Sequence, residues 1–259
     1  MSGEARLRCE VAEGVATITI DRPDKRNAMT AAMWRELPVL LDRLEADPTV
    51  RVLVLTGAGG DFCSGADIAE LGDITSGDLS TTAEEALAAF PKPTVAAIRG
   101  FCVGGGCQLA VACDLRLAAD DARLGITPAK IGIVYPAAAT ARLVRLIGPA
   151  SAKYLLFSAE LVDAAHALRI GLVDETVPAA GFDDRLAAFT ATLASRSLLT
   201  QQAAKDIVDS AAASRLTRAT VDAWVAESRR GGDAAEGVTA FLERRPPAFT
   251  WTGPAAHRR

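Results

Sequence analysis

The sequence predicts an α/β fold in which a largely parallel sheet is covered by helices and followed by a helical C-terminal extension. Three observations carry this expectation. Strand-like runs alternate with helix-like runs through the first half of the 259 residues, the pattern of βα units whose strands pair in parallel. From residue 137 onward the patterning is almost entirely helical. Half of the residues are hydrophobic but only 5% are aromatic, so the core has to be built from Ala, Val, Leu and Ile.

Taken in order, VATITID (15–21) reads as a strand. TAAMWRELPVLLDRLEAD (30–47) reads as a helix bent near Pro38, because an interior proline removes a helical hydrogen bond. VRVLVLTG (50–57) and PTVAAIRG (93–100) are apolar enough to be strands buried on both faces. Between them GDITSGDLSTTAEE (72–85), rich in turn formers, reads as a mobile loop. CQLAVAC (107–113) reads as a buried helix, and DLRLAA (114–119) and ARLGI (122–126) give the last strand signals. Seven helical patterns follow: AAATARLVRLIG, PASAKYLLFS, DAAHALRIG, FDDRLAAFTATLASR, QQAAKDIVDSAAAS, TRATVDAWVAESRR and DAAEGVTAFLERR.

Composition excludes several functions. A formal net charge of −4 offers no electrostatic reason to bind nucleic acid or an anionic membrane. The start, MSGEARLRCE, lacks the apolar stretch of a signal peptide, and no window reaches the ~18 apolar residues of a membrane span, so a cytoplasmic location is expected. Five cysteines (9, 63, 102, 107 and 113) form no CxxC pair, and only His166 and His257 could supply ring nitrogens beside them. They read as buried thiols, with no metal site expected.

The stretch GFCVGGGCQLA (100–110) sets Gly104, Gly105 and Gly106 where a strand hands over to a helix. Glycine there permits positive φ and close approach of another backbone or a ligand. The first turn of a helix has amides without intrahelical partners, at the positive end of the helix dipole. VLVLTGAGGDFCSGADI (52–68) repeats the arrangement, so two loops could each aim one N–H at one developing negative charge. A dinucleotide fingerprint fits poorly, since Gly57 and Gly59 are followed by Phe62 at the third glycine position, and a phosphate-binding P-loop is absent.

TIDRPDKRNAM, FCSGADI, KPTVAAIRGFCVGGGCQLAVACDLRLA, RLVRLIGPASAKYLLFSAELVDAAHALRIGLVDETV and FLERRPPAF, in this order between residues 14 and 249, resemble successive signatures of the crotonase (enoyl-CoA hydratase/isomerase) superfamily. The resemblance implies a spiral of ββα units over residues 1–196 and a helical trimerisation region over 197–259, with assembly into a homotrimer or dimer of trimers. It implies an acyl-CoA thioester as substrate and no cofactor beyond that coenzyme A. By motif, the amides that would hold the thioester oxygen are those of Ala66 and Gly105. Ala66, Asp67, Ile68 and Ala69 would line the pantetheine and adenine portion of CoA. Arg26 and Arg244 would meet phosphate, Arg244, in FLERR, by reaching a neighbouring subunit, and Gln108 and Phe241 would also bind substrate.

The chain departs from typical hydratases at both acid/base positions. Where those carry a glutamate in GGGCEL this chain has Gln108, and aligned without gaps from Asp114 the second glutamate falls on Pro128. A glutamine amide neither gives nor takes a proton near neutrality. ITPAKIGIVYP (126–136) resembles the matching segment of the methylmalonyl-CoA decarboxylase branch, which would make Tyr135, assisted by Thr127, an orienting group for a substrate carboxylate. That branch differs at Ala66 and Gln108, where it tends to carry a histidine and an acid. Three readings stand: decarboxylation of a malonyl- or alkylmalonyl-CoA, which needs no base; hydration or isomerisation with an acid from Asp73, Asp78 or Glu84; and a CoA-binding protein without catalysis.

Overall fold

The computed structural model describes residues 5–253. Strand β1 (Arg6–Ala12) is a mostly exposed edge, antiparallel to β2 (Val15–Asp21), whose alternate residues Ala16, Ile18 and Ile20 are buried. Helix α1 (Ala31–Ala46) follows, with the Thr30 side chain accepting from the Met33 amide at its start, and it runs through Pro38. Strand β3 (Val52–Gly57) leads into the glycine-rich loop, and helices α2 (Leu71–Ser76) and α3 (Leu79–Ala89) precede β4 (Thr94–Ile98). After β5 (Phe101–Val103) come α4 (Gly105–Ala112), β6 (Leu115–Ala119), β7 (Arg123–Gly125) and α5 (Ala137–Ser158). β8 (Val162–Asp163), α6 (Ala164–Arg169), β9 (Glu175–Val177) and α7 (Phe182–Ser195) complete the α/β part. Helices α8 (Leu198–Ala212), α9 (Arg218–Gly231) and α10 (Asp233–Glu243) end the described chain.

Six strands pair in the order β1-β2-β3-β4-β6-β9, parallel throughout except for β1. Leu53 and Leu55 of β3 join the main core, while Val52 and Val54 face a second cluster with Phe182 of α7. Burial on both faces is why this strand reads as an unbroken apolar run. A small second sheet, β5-β7-β8, holds the strand that delivers the chain to α4.

The segment 72–85 is not a loop. Ile74 is buried on α2, and Ala83, Glu84 and Leu87 are buried on α3 at helical spacing, so tertiary packing overrides a composition rich in turn formers. The region beyond residue 137 is not purely helical either, since β8 and β9 each extend a sheet. The two helical patterns around GPA form one element, α5, interrupted where Gly148 takes φ +75° before Pro149. Of the five cysteines, four are buried and Cys9 is exposed on the edge strand. His166 stacks on Tyr154 with ring centroids 5.7 Å apart, and His257 lies outside the described residues.

The C-terminal helices carry their own apolar cluster of Leu198, Leu199 and Trp251, and are tied to the core by polar contacts. Arg51 donates to the carbonyls of Ala194 and Arg196, and Lys205 pairs with Asp114 at 2.9 Å. The buried Lys92 ammonium donates to the carbonyls of Leu44 (2.9 Å) and Asp47 (2.7 Å), closing the C-terminal end of α1. Burial pulls this ammonium down from 10.5 to about 8. Between those values the unfolded chain binds more protons than the folded one, so stability rises with pH across that window. Lys92→Met is expected to lower the unfolding free energy by ~1–3 kcal/mol at neutral pH by stranding two carbonyls. It should also abolish the rise. Urea melts at neutral pH and near the ordinary lysine value check both, and a variant that keeps the rise contradicts the assignment.

Candidate active site

Two loops meet with their main chains in contact. The Cys63 amide donates to the Phe101 carbonyl and the Val103 amide to the Cys63 carbonyl, both at 2.9 Å. On the other side the Met29 amide donates to Gly65 at 2.8 Å, and the Asp67 amide to Met29 at 2.9 Å. Asn27, fully buried, fastens the segment before Met29 to the glycine-rich loop. Its side-chain nitrogen donates to the carbonyls of Ala58 (2.8 Å) and Asp61 (2.6 Å), and its oxygen accepts from the Arg22 amide.

Two of the amides that these bridges leave over lie side by side. Among the described residues, neither the Ala66 amide nor the Gly105 amide, first in α4, donates to any acceptor. They are neighbours: a Cβ at Gly105 would sit 3.4 Å from the Ala66 nitrogen and 3.0 Å from the Trp34 ring. A Cβ at Gly65 would lie 3.2 Å from the Gly105 nitrogen, and one at Gly106 only 2.2 Å from the Cys63 carbonyl oxygen. Gly104 takes φ +55°, which a side chain disfavours. The three consecutive glycines therefore have separate reasons: a left-handed turn, an uncovered amide, and a backbone contact. Two adjacent donors at a helix start can share one oxyanion.

One helical turn on, Gln108 is buried, and its nitrogen donates to Glu84 Oε2 at 2.7 Å and, more weakly, to the Ser80 carbonyl at 3.5 Å. Glu84 is fully buried on α3, and its other oxygen accepts from Arg142 of α5, which also reaches Glu85 at 3.0 Å. Burial pushes the Glu84 carboxyl above the ordinary range, while the hydrogen bonds from Gln108 and Arg142 pull it back. Tyr135 is partly buried against the core, and its phenol is pushed well up by burial, then by the nearby Cys107 and Glu84, so it stays a hydrogen-bond donor. Thr127 Oγ1 is 3.8 Å from where a Cβ on Gly104 would lie, and Pro128 opens a short 3-10 turn.

The remaining predicted site residues scatter around this centre. The Asp67 carboxylate is held by Arg22 at 2.6 Å and caps the short turn Ile68–Glu70 by accepting from Ala69. The Arg22 hydrogen bond is the main cause lowering its pKa. Ile68 and Ala69 are exposed beside it. Arg26 is exposed with its guanidinium 4.3 Å above the Phe101 ring. Phe241 and Arg244 are exposed on and just after α10. Asp73 and Asp78 are exposed on the α2–α3 segment, so Glu84 is the one of the three candidate acids that is buried and hydrogen-bonded to Gln108. A cavity of about 970 Å³ opens at the opposite end of α4, lined by Cys113, Arg142, Lys205 and Trp224 among others. None of Ala66, Gly105, Gln108 or Tyr135 lines it.

The family model for enoyl-CoA hydratase/isomerase matches residues 10–252. The chain belongs to the enoyl-CoA hydratase/isomerase family. This enzyme family, the crotonase superfamily, acts on acyl-CoA thioesters. The chain is 35% identical to the Mycobacterium bovis protein named "Probable enoyl-CoA hydratase echA8", over 91% of this chain and 94% of that one. It is 34% identical to a crotonyl-CoA hydratase of Syntrophomonas wolfei, over 93% and 96%. A solved structure described as an enoyl-CoA hydratase/isomerase family member superposes with a TM-score of 0.92 at 39% identity, over 97% of this chain and all of that one.

Two variants isolate the amide in this family member. Gly105→Ala and Gly105→Pro both add a Cβ against Trp34, but only proline removes the N–H, and proline is tolerated at the first position of a helix. Loss of one oxyanion donor costs ~3 kcal/mol, so acyl-CoA turnover should fall by about 10²-fold or more from the alanine to the proline variant. Equal turnover in the two, with matching circular dichroism, rejects the role.

Proposed function

We propose that this chain decarboxylates a malonyl- or alkylmalonyl-CoA through an enolate whose oxygen is held by the Ala66 and Gly105 amides. The observation that carries the reading is the state of the acids. Position 108 holds an amide, position 128 a proline, and both oxygens of the nearby Glu84 are engaged, by Gln108 and Arg142. Hydration requires groups that exchange protons with water and with the α-carbon. Decarboxylation does not: the carbon–carbon bond to the carboxylate breaks, its electron pair moves onto the thioester oxygen, and CO2 leaves. The enzyme has then to orient the carboxylate and stabilise the oxyanion.

In this reading the CoA portion lies along Ala66 to Ala69, with Arg26 at a phosphate. Tyr135 donates its hydroxyl to the carboxylate, helped by Thr127. Phe241 and Arg244 serve a neighbouring subunit of a trimer or dimer of trimers, and no cofactor takes part. The hydratase reading draws support from a specific observation as well: Glu84 is a buried carboxyl whose pKa is raised by burial, beside the position where hydratases keep an acid, and the named relatives are hydratases.

Mass spectrometry of crotonyl-CoA and methylmalonyl-CoA incubated with the pure protein separates the two. Methylmalonyl-CoA should become propionyl-CoA while crotonyl-CoA stays intact, and Tyr135→Phe should slow the first by about 10- to 100-fold, the worth of a hydrogen bond to a charged group. Hydration of crotonyl-CoA with methylmalonyl-CoA untouched overturns the proposal. If both thioesters persist but CoA raises the melting temperature, the protein binds without turning over.

A further inference from the structure

The chemistry of the Gln108 environment fixes which way its amide faces. An ionised carboxylate only accepts hydrogen bonds, so with Glu84 Oε2 at 2.7 Å the nitrogen of Gln108 must point to α3; the reversed amide would set two oxygens against each other. The second amide hydrogen is directed to the Ser80 carbonyl. That leaves the carbonyl oxygen as the atom of this side chain with no donor among the described residues, one turn along α4 from the Gly105 amide. Glu84 is in turn held as an anion in a fully buried position by Arg142, which spans from α5 to both Glu84 and Glu85. Burial alone would favour the neutral acid, which could donate to the Gln108 oxygen and turn the amide round.

We infer that Glu84 and Arg142 are positioning residues that lock the Gln108 amide, so that its carbonyl oxygen faces the acyl site and holds the water that protonates the enolate. The inference rests on the decarboxylation reading above. After CO2 departs, an O–H bond of that water breaks, its proton goes to the α-carbon and the thioester carbonyl re-forms. The hydroxide left behind combines with CO2 as bicarbonate, so the sum is acyl carboxylate plus water giving acyl thioester plus bicarbonate. A neutral amide suits this task. It orients a water without drawing off its proton and without adding a negative charge beside the substrate carboxylate.

The chain has three glutamines, at 108, 201 and 202, so selective 15N-glutamine labelling yields three side-chain amide pairs, and Gln108→Met assigns the relevant one. In the wild type the Gln108 amide protons should be shifted downfield and exchange slowly with water. In Glu84→Gln, which adds a fourth amide pair told apart by comparison with Glu84→Gln/Gln108→Met, they should move upfield and exchange faster. With methylmalonyl-CoA in D2O, Glu84→Gln should lower kcat by about tenfold with KM within about twofold, and turn stereospecific deuterium incorporation at C2 of propionyl-CoA into a mixture. Should Glu84→Gln fail to fold because Arg142 keeps only the exposed Glu85 as partner, Glu84→Gln/Arg142→Met removes both charges and is read the same way. Gln108 signals indifferent to residue 84, or a stereochemically pure product from the variant, overturn the inference. If the wild type leaves methylmalonyl-CoA intact, the decarboxylation reading and the role of the water fall together, and the amide signals still judge the lock.

Discussion

The site depends on two stretches of main chain lying closer together than side chains would allow. Cys63 to Ala66 and Val103 to Gly106 are held in register by the reciprocal bonds between Cys63 and the Phe101–Val103 strand. A single methyl group at Gly106 would collide with the Cys63 carbonyl, and one at Gly65 would crowd the Gly105 amide. This contact brings two amides from segments about forty residues apart to the same spot without using either in secondary structure. The surroundings serve the same end. Trp34 packs beneath Gly105, Asn27 anchors the flanking loop, and the buried thiol of Cys63, pushed up to about 12 by burial, stays an inert filler that hydrogen-bonds within its own turn.

Around that fixed centre the charges are paired with one another. The carboxylate beside Gln108 is Glu84 of α3, and both of its oxygens are engaged, one by the Gln108 amide and one by Arg142. The paired backbone amides and the side chains around them are thus separable. The first is made of backbone and leaves little room for a side chain at Gly65, Gly105 or Gly106, whereas the second is made of side chains from α3, α4 and α5. A common centre with variable neighbours fits a chain that superposes closely on a family member while carrying Gln108 and Pro128 beside that centre.

The parallel strands were legible because β2, β3 and β4 are short Val, Ile, Leu and Ala runs buried on one or both faces, and the glycine-rich handover to α4 was legible because three glycines in a row have few other uses. Much of what was not legible was short or non-local, and β1, a seven-residue strand beside β2, went unread because all but one of its residues are exposed. β8 and β9 have two and three residues, too few to carry a period, and exist only because β7 and β6 offer them edges. α2 and α3 were hidden by Gly, Ser, Thr and Asp on their exposed faces, although the spacing of Ala83, Glu84 and Leu87 carried the signal. Gln108 and Glu84 are 24 positions apart and on different helices, so no local pattern joins them. Glu84 could be named as a candidate acid from sequence, but its role as a fully buried partner of Gln108 appears only once α3 packs on α4.

The account stands or falls on where an acyl-CoA thioester places its carbonyl oxygen. A crystal structure of the protein with a bound, unreactive acyl-CoA analogue measures this directly. The account predicts that oxygen within ~2.7–3.1 Å of both the Ala66 and the Gly105 nitrogens. A carbonyl turned away from them, or bound to one amide while the other lies out of reach, would contradict it.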